Sequence, residues 1–177
     1  MSVLRSHVVL VGLPGVGKTT VGQGAAARLG CAFLDFDAEI ERREGVAIGR
    51  IFADRGEAYF RSLERALTEE VRAAAEPMVL SPGGGWIEDA AVVSLLRPPA
   101  RLVYLRATPA TVLARLGPGR AARPLLSGAD PREALDRLYE RRRGSYEGSD
   151  AVLDTEMLGV EKVIDALVEL VIVGGAG

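Results

Sequence analysis

Residues 12–19, which read GLPGVGKT, constrain the fold of this chain more than any other segment. They fit the phosphate-binding pattern G-x-x-x-x-G-K-[ST] at every fixed position, with the apolar run Val8–Val11 before them and a helical pattern after them. Glycines let such a loop turn tightly and bring its backbone N–H groups against a polyphosphate. An ordinary Gly-rich turn is the alternative, but the complete match and both flanks favour a site for a nucleoside triphosphate.

Two side chains of this loop add specific chemistry. Lys18 is long enough to reach the β- and γ-phosphates, and the hydroxyl group of Thr19 is an oxygen ligand that suits Mg²⁺. We therefore predict that the chain binds a nucleoside triphosphate together with Mg²⁺. The predicted nucleotide-binding residues of this segment are Gly12, Pro14, Gly15, Val16, Gly17, Lys18, Thr19 and Thr20.

Length, charge and cysteine content narrow the class of protein. The chain has 177 residues, which suits a single domain (1–177), and its net charge of -2 gives no sign of a nucleic-acid or membrane surface. The single cysteine, Cys31, excludes an internal disulfide, and the one histidine, His7, is predicted to be a surface residue rather than a catalyst. No stretch has the roughly 18 apolar residues of a membrane span. We expect a soluble, cytoplasmic monomer whose partners are small molecules.

Apolar runs and helical patterns alternate along the chain. Strands are predicted at residues 8–11, 31–34, 78–80, 101–105 and 151–153. Helices are predicted at residues 17–29, 38–44, 48–54, 57–75, 89–96, 109–116, 130–143 and 160–171. This alternation indicates a three-layer α/β fold, with a parallel sheet covered by helices on both faces and the site at the carboxyl ends of the strands. Residues 117–129 break the periodicity and have the length of a lid, and the tail 174–177 is expected to be disordered.

Several candidate site residues come directly after predicted strands. Asp35 and Asp37 follow the second strand, where a functional role and helix capping by Asp37 are about equally supported. A glycine triplet follows the third strand and suits the close approach of a ligand, although a sharp turn is the simpler explanation. The triplet consists of Gly83, Gly84 and Gly85.

Charged residues on the long helix and in the predicted lid are weaker candidates. Glu57, Arg61 and Glu64 fall on one helix face, where a solvated ladder of ion pairs is the default interpretation. The predicted lid carries Arg120 and Arg123. A lid arginine can neutralise charge on a transferring phosphoryl group, although an arginine in an irregular loop is more commonly just solvated.

Together these features resemble the shikimate kinase family, from the first strand to about Thr155. Besides the phosphate loop, the resemblance rests on LDFD at 34–37 followed by Ile40 and Glu41, FRSLE at 60–64, GGG at 83–85 and RPLL at 123–126. It implies phosphoryl transfer from ATP to the 3-hydroxyl group of shikimate, in aromatic amino-acid biosynthesis. It also implies a P-loop NTPase fold like that of nucleoside monophosphate kinases. That fold has a five-stranded parallel sheet in the order 2-3-1-4-5, a mobile substrate-binding region at about 37–64 and a mobile lid.

The resemblance also implies roles for residues that would bind the acceptor. Asp37 looks like the residue that contacts the ring hydroxyl groups and takes the proton of the attacking one. Arg61 looks like one arginine of a clamp on the acceptor carboxylate, with the glycine triplet, Gly84 above all, lending a backbone N–H. The second clamp arginine precedes a tyrosine by four residues in the family, so Tyr146 selects Arg142. The neighbouring candidates are Arg141 and Arg143.

At the phosphate end, Asp35 is similar to the carboxylate that holds Mg²⁺ through water together with Thr19. Arg123 matches the lid arginine over the phosphates, and Arg115 would contact the adenine face. The catalytic residues that the resemblance implies are Lys18, Asp37 and Arg123.

The sequence departs from the family pattern at three places: Pro82, Trp86 and residues 144–145, where Gly-Ser replaces the usual Pro-Leu. Trp86 could narrow the acceptor pocket and the change at 144–145 could move Arg142, so these departures concern the identity of the acceptor rather than phosphoryl transfer. One alternative function is a kinase of another small hydroxy acid, such as gluconate. Another is a non-catalytic domain of this fold that senses a ligand.

The lid assignment predicts a kinetic effect of Arg123→Ala. Because an arginine over the phosphates acts in the closed state, we expect the substitution to lower kcat by a larger factor than it raises the KM for ATP. Steady-state assays at saturating acceptor measure both constants. A kcat within about twofold of the parent would mean that Arg123 is a solvated loop residue.

Overall fold

The computed structural model describes residues 4–116 and 130–173, and within them the chain forms five strands and seven α-helices. The strands are β1 (Val8–Val11), β2 (Ala32–Asp35), β3 (Met78–Ser81), β4 (Arg101–Arg106) and β5 (Ala151–Asp154). The helices are α1 (Lys18–Leu29), α2 (Phe36–Glu44), α3 (Ile48–Ala73), α4 (Ala90–Leu96), α5 (Pro109–Leu116), α6 (Pro131–Glu147) and α7 (Val160–Val173). A 3₁₀ turn, Trp86–Glu88, follows β3. The predicted lid with Arg120 and Arg123, and the predicted disordered tail, lie outside the described residues.

The strands form one parallel sheet in the order β2-β3-β1-β4-β5, which confirms the predicted topology. The central strand β1 is buried at all four residues, as expected for a strand that is covered on both faces. Its register with β3 and β4 brings the carboxyl ends of these strands to one edge of the sheet. At that edge Asp35, the last residue of β2, lies directly opposite Ser81, the last residue of β3. The candidate residues after β2 and β3 therefore lie side by side.

Helix α3 contains the interruption that the sequence predicts between residues 54 and 57. Gly56 has φ 80° and ψ 170°, a conformation that strongly favours glycine, and it separates a short first segment from a long second one. The second segment packs its apolar stripe into the core, with Phe60, Leu67 and Val71 buried. This packing places Arg61 and Glu64, which lie on the same segment, beside the glycine triplet that follows β3.

Two of the helix termini that differ from the prediction bear on the site. Asp35, and not Asp37, caps α2, because its Oδ1 accepts a hydrogen bond from the backbone N–H of Ala38 (3.2 Å). The capping role considered for Asp37 was therefore wrong, and that residue lies in the first turn of the helix. Helix α6 starts at the predicted Asp130 cap but continues through residues 144–145 to Glu147.

His7 has a structural role that the sequence did not indicate. Its ring is half-buried, and Nδ1 accepts a hydrogen bond from the backbone N–H of Met78 (3.1 Å). Burial lowers the pKa of His7, which favours the neutral ring that this bond needs. The imidazole therefore braces the start of β3, far from the carboxyl ends of the strands. In the parts of the chain that the structure describes, no helix combines the length and the apolar character needed to cross a membrane.

Candidate active site

A cavity of about 730 Å³ opens at the carboxyl ends of the central strands. It is bounded by the phosphate loop, the first turn of α2, the middle of α3, the glycine triplet and one side chain of α6. The predicted site residues that line it are Pro14, Gly15, Gly17, Lys18, Thr19, Thr20, Asp35, Asp37, Arg61, Gly83, Gly84, Gly85 and Arg142. Gly12 and Lys18 line a small adjoining recess. Val16 is buried beneath the loop, and Arg115 does not line the cavity.

The phosphate loop has the backbone conformation that its glycines predict. Gly12, Gly15 and Gly17 all have positive φ, and a Cβ atom at Gly12 would lie 2.6 Å from the carbonyl oxygen of Leu105. No side chain caps the first turn of α1, and the residues of that turn, Lys18, Thr19 and Thr20, line the cavity. The ammonium group of Lys18 donates to the carbonyl oxygens of Gly12 (2.9 Å) and Leu13 (3.1 Å). This arrangement provides N–H donors and a cation at one end of the cavity, which is the chemistry of a phosphate site.

Thr19 and Asp35 form an oxygen pair beside the loop. The hydroxyl group of Thr19 donates to Oδ2 of Asp35 at 2.7 Å, while the other carboxylate oxygen caps α2. A hydroxyl and a carboxylate at this separation are hard oxygen donors that suit Mg²⁺, which typically takes one or two protein oxygens together with water and phosphate. The pair therefore fits the predicted metal position between the loop and β2.

Each residue of the glycine triplet faces a charged side chain. A Cβ atom at Gly83 would lie 2.6 Å from Oε1 of Glu64 and 3.0 Å from Oδ1 of Asp37. One at Gly84 would lie 2.9 Å from Nη1 of Arg142, and one at Gly85 would overlap the guanidinium group of Arg61. All three glycines have ordinary negative φ, so what they supply is space and not an unusual backbone conformation. The triplet is therefore the wall against which the charged groups of the site converge.

Glu64 contradicts the interpretation of its helix face as a solvated ladder. Its side chain is only 2% exposed, and Oε2 accepts from Nη1 of Arg61 at 2.5 Å. The other oxygen, Oε1, has no hydrogen-bond partner among the described residues. Burial raises the pKa of Glu64 to about 7, although the nearby Arg61 opposes that rise. Glu57, by contrast, is exposed and bonds Arg61 from the outside at 3.1 Å, as a solvated pair would.

Among the three consecutive arginines of α6, the structure brings Arg142 alone into the cavity wall. Its side chain is 1% exposed; Nε donates a hydrogen bond to Oε2 of Glu88 at 3.0 Å, and Nη2 forms an ion pair with the same oxygen at 3.0 Å. Arg141 also bonds Glu88 but is exposed, and Arg143 pairs with Glu147 at 2.8 Å on the outer face. The helical rotation of about 100° per residue separates the three side chains in this way.

Glu88 was not singled out from the sequence. Its only signal there is that it follows the triplet by three residues, which does not reveal the partner on a helix more than fifty residues later. The apolar part of the cavity wall was missed as well, because Ile48, Phe52 and Phe60 read as core positions of a helix. The two aromatic rings among them, those of Phe52 and Phe60, pack together with centroids 4.9 Å apart.

Trp86 does not narrow the cavity, contrary to the expectation from its position after the triplet. Its side chain is buried, and Nε1 donates to Oγ1 of Thr68 on α3 at 3.0 Å. Pro82, the other unusual residue beside the triplet, does line the cavity. The change at 144–145 leaves α6 helical and Arg142 in the wall.

Arg115 lies on α5, away from the cavity lining. Its guanidinium group donates to the hydroxyl group of Thr155 (2.9 Å) and to the backbone carbonyl of the same residue (2.6 Å). These bonds fix the side chain against the segment after β5. Contact with an adenine ring stays a prediction.

Comparison with known proteins gives consistent findings. The family model for shikimate kinase matches residues 14–171. A shikimate kinase from Moorella thermoacetica is 40% identical over 153 residues, which cover 86% of this chain and 87% of that protein. One from Chromobacterium violaceum is 38% identical over 170 residues, which cover 96% and 91%. The solved structure of shikimate kinase from Acinetobacter baumannii in complex with shikimate aligns with a TM-score of 0.89 and 32% identity, covering 97% of this chain and 96% of that one.

The buried carboxyl group of Glu64 predicts a pH-dependent effect on stability. Folding raises its pKa from 4.5 to about 7, so between these values the folded state holds a proton that the unfolded state has released. Stability contributed by this group is therefore lost as the pH rises through that window. Glu64→Gln, which mimics the protonated form, should gain roughly 2 kcal/mol in unfolding free energy relative to the parent between pH 5 and pH 8.

Urea unfolding of both proteins at the two pH values measures this difference. Glu57→Gln is the matched control, because Glu57 also bonds Arg61 but is 67% exposed, and its substitution should give a difference that is nearly independent of pH. A pH-independent difference for Glu64→Gln as well would show that Glu64 titrates normally in the folded protein.

Proposed function

Because the chain belongs to the shikimate kinase family, we propose that it transfers the γ-phosphoryl group of ATP to the 3-hydroxyl group of shikimate. One observation carries this proposal beyond the family relationship. A phosphate loop, the oxygen pair Thr19–Asp35 and two guanidinium groups line a single cavity. A phosphate end and a carboxylate-binding end in one cavity are what a kinase of a small hydroxy acid requires.

The phosphate end would bind and orient ATP. Backbone N–H groups of the loop and the ammonium group of Lys18 offset the charge of the β- and γ-phosphates, so Lys18 exchanges its loop carbonyls for phosphate oxygens when the nucleotide binds. Thr19 and Asp35 would hold Mg²⁺, with Asp35 acting through water. When bound, Mg²⁺ supplies neutralisation of charge on the phosphate oxygens.

The acceptor end would hold shikimate by its two kinds of polar group. Arg61 and Arg142 face neighbouring glycines of the triplet, so their donors reach the same part of the cavity, where the acceptor carboxylate would bind. Asp37 can only accept hydrogen bonds when ionised, so it selects hydroxyl groups, and it lines the cavity between the triplet and the phosphate loop. In this position Asp37 would orient the attacking hydroxyl group and take its proton.

In this proposal the protein would act as a monomer on small soluble substrates in the cytoplasm. Arg123 of the lid would act over the phosphates, and Arg115 would contact the adenine ring.

The acceptor assignment predicts a clear order among candidate substrates. A coupled assay of ADP release should show turnover with shikimate at least about a hundredfold more efficient, in kcat/KM, than with gluconate or with the neutral amide of shikimate. The amide should lose efficiency because it offers one acceptor oxygen in place of a charged pair. Turnover of gluconate above that of shikimate would favour the alternative kinase, and no turnover with any acceptor would favour a ligand-sensing domain.

Arg61→Lys is the matched variant for this experiment. It keeps the positive charge but removes the planar fork, so the KM for shikimate should rise while the KM for the amide changes little. Equal phosphorylation of the acid and the amide by the parent would mean that Arg61 and Arg142 do not bind a carboxylate.

Asp37→Asn should act mainly on the chemical step. The amide keeps the size of the side chain but cannot take a proton, so kcat should fall by about a hundredfold or more, with a smaller change in the KM for shikimate. Steady-state kinetics measure both constants, and circular dichroism checks that the fold is intact. A kcat within about threefold of the parent would remove Asp37 from the chemistry.

A further inference from the structure

The buried guanidinium group of Arg142 divides its donors between two directions. Nε donates a hydrogen bond to Oε2 of Glu88 at 3.0 Å, and Nη2 forms an ion pair with the same oxygen at 3.0 Å. Nη1 is buried, has no hydrogen-bond partner among the described residues and faces Gly84 at the cavity wall. A buried guanidinium N–H without a partner is costly, so its presence at the wall of a binding cavity indicates that a ligand atom completes the set.

The carboxyl group that bonds this edge of Arg142 belongs to Glu88, which lies in a turn with an anchored backbone. Glu88 ends the 3₁₀ turn that follows the triplet, and its backbone N–H donates to the carbonyl oxygen of Gly85 at 3.0 Å. The same turn is anchored by the buried ring of Trp86, through its bond to Thr68. The backbone that carries Glu88 is therefore fixed relative to the triplet, and Arg141 also bonds the Glu88 carboxylate, from the exposed side.

The opposite side of Arg142 is fixed by the helix that carries it. Tyr146 lies one turn further along α6, is fully buried and interacts electrostatically with Arg142. Its ring stacks on that of Tyr104 from β4, with centroids 4.8 Å apart. Arg142 thus has a packed ring on one side and the Glu88 carboxylate on another, which leaves the direction of Nη1 little freedom.

From this geometry we propose that Glu88 is a positioning residue for the acceptor site: it occupies the Nε–Nη2 edge of Arg142 so that Nη1 is the atom presented to the acceptor carboxylate. Glu88 does not line the cavity, so it acts through Arg142 and not on the substrate. The proposal rests on the proposed function, because the group that Nη1 meets is the carboxylate of shikimate.

Without Glu88, the guanidinium group would lose its fixed partner and turn toward other acceptors, such as Tyr146 or the carboxylates of the cavity. Removing the anion also increases the free positive charge near the substrate, which would lower the KM if charge and not orientation decided binding. Loss of orientation would raise the KM for shikimate, whereas the added positive charge would lower it. The KM for shikimate therefore separates positioning from simple charge compensation.

The test is steady-state kinetics of Glu88→Ala with shikimate and ATP. We expect the KM for shikimate to rise about tenfold, with kcat and the KM for ATP within about twofold of the parent. Glu147→Ala is the matched control, since Glu147 forms the same kind of ion pair with the adjacent Arg143 on the outer face, and all three constants should stay unchanged. If Glu88→Ala does not fold, Glu88→Gln, which retains one acceptor oxygen, should raise the KM for shikimate about threefold.

A double-mutant cycle with Arg142→Ala shows whether the effect passes through Arg142. In that background the substitution at Glu88 should change the KM for shikimate by less than about twofold, because the group it positions is gone. An equal rise in both backgrounds, an unchanged KM or a lowered KM overturns the positioning role. If the parent does not phosphorylate shikimate at all, the proposed function fails and this proposal with it. Turnover by the parent with an unshifted KM in the variants overturns the role of Glu88 alone.

Discussion

Close contact between charged side chains and three consecutive glycines determines the shape of the cavity wall after β3. Three glycines follow β3, and each leaves the space that a carboxylate or guanidinium group fills. A Cβ atom at any of the three positions would lie within 3.0 Å of one of these groups, and the mutual attraction of the groups offsets part of the cost of removing them from water. The arrangement of Arg61, Glu64 and Arg142 follows from this one constraint.

The phosphate end depends on a different and more local constraint, and for that reason it was predictable. The loop residues are consecutive, so their spacing in the sequence determines their spacing in the fold once the flanking strand and helix are recognised. The alternation of strands and helices likewise limits the topology, and the sheet order expected from the family resemblance is the one observed. Even the interruption of α3 at Gly56 could be read from the sequence.

What could not be predicted depends on contacts between distant parts of the chain. The capping of α2 by Asp35 instead of Asp37 moves the helix start by two residues, within the range where patterns are ambiguous. The burial of Glu64 follows from the triplet facing it, nineteen residues later in the sequence, and not from its own helix face. Glu88 and Arg142 are fifty-four residues apart, and no local pattern relates them. The size of Trp86 suggested that it would narrow the cavity. Instead its indole N–H bonds a residue of α3, and its ring packs in the core.

The location of Trp86 also gives the molecule an optical property. The chain has one tryptophan, and its indole is buried in the turn that links the glycine triplet to Glu88, hydrogen-bonded to the helix that carries Arg61. Its emission therefore originates from a single environment: Trp86 directly follows Gly85, which faces Arg61, and precedes by two residues Glu88, which bonds Arg142. Ligands that rearrange those arginines act on the immediate electrostatic surroundings of the chromophore, whereas the remainder of the protein contributes no competing indole signal.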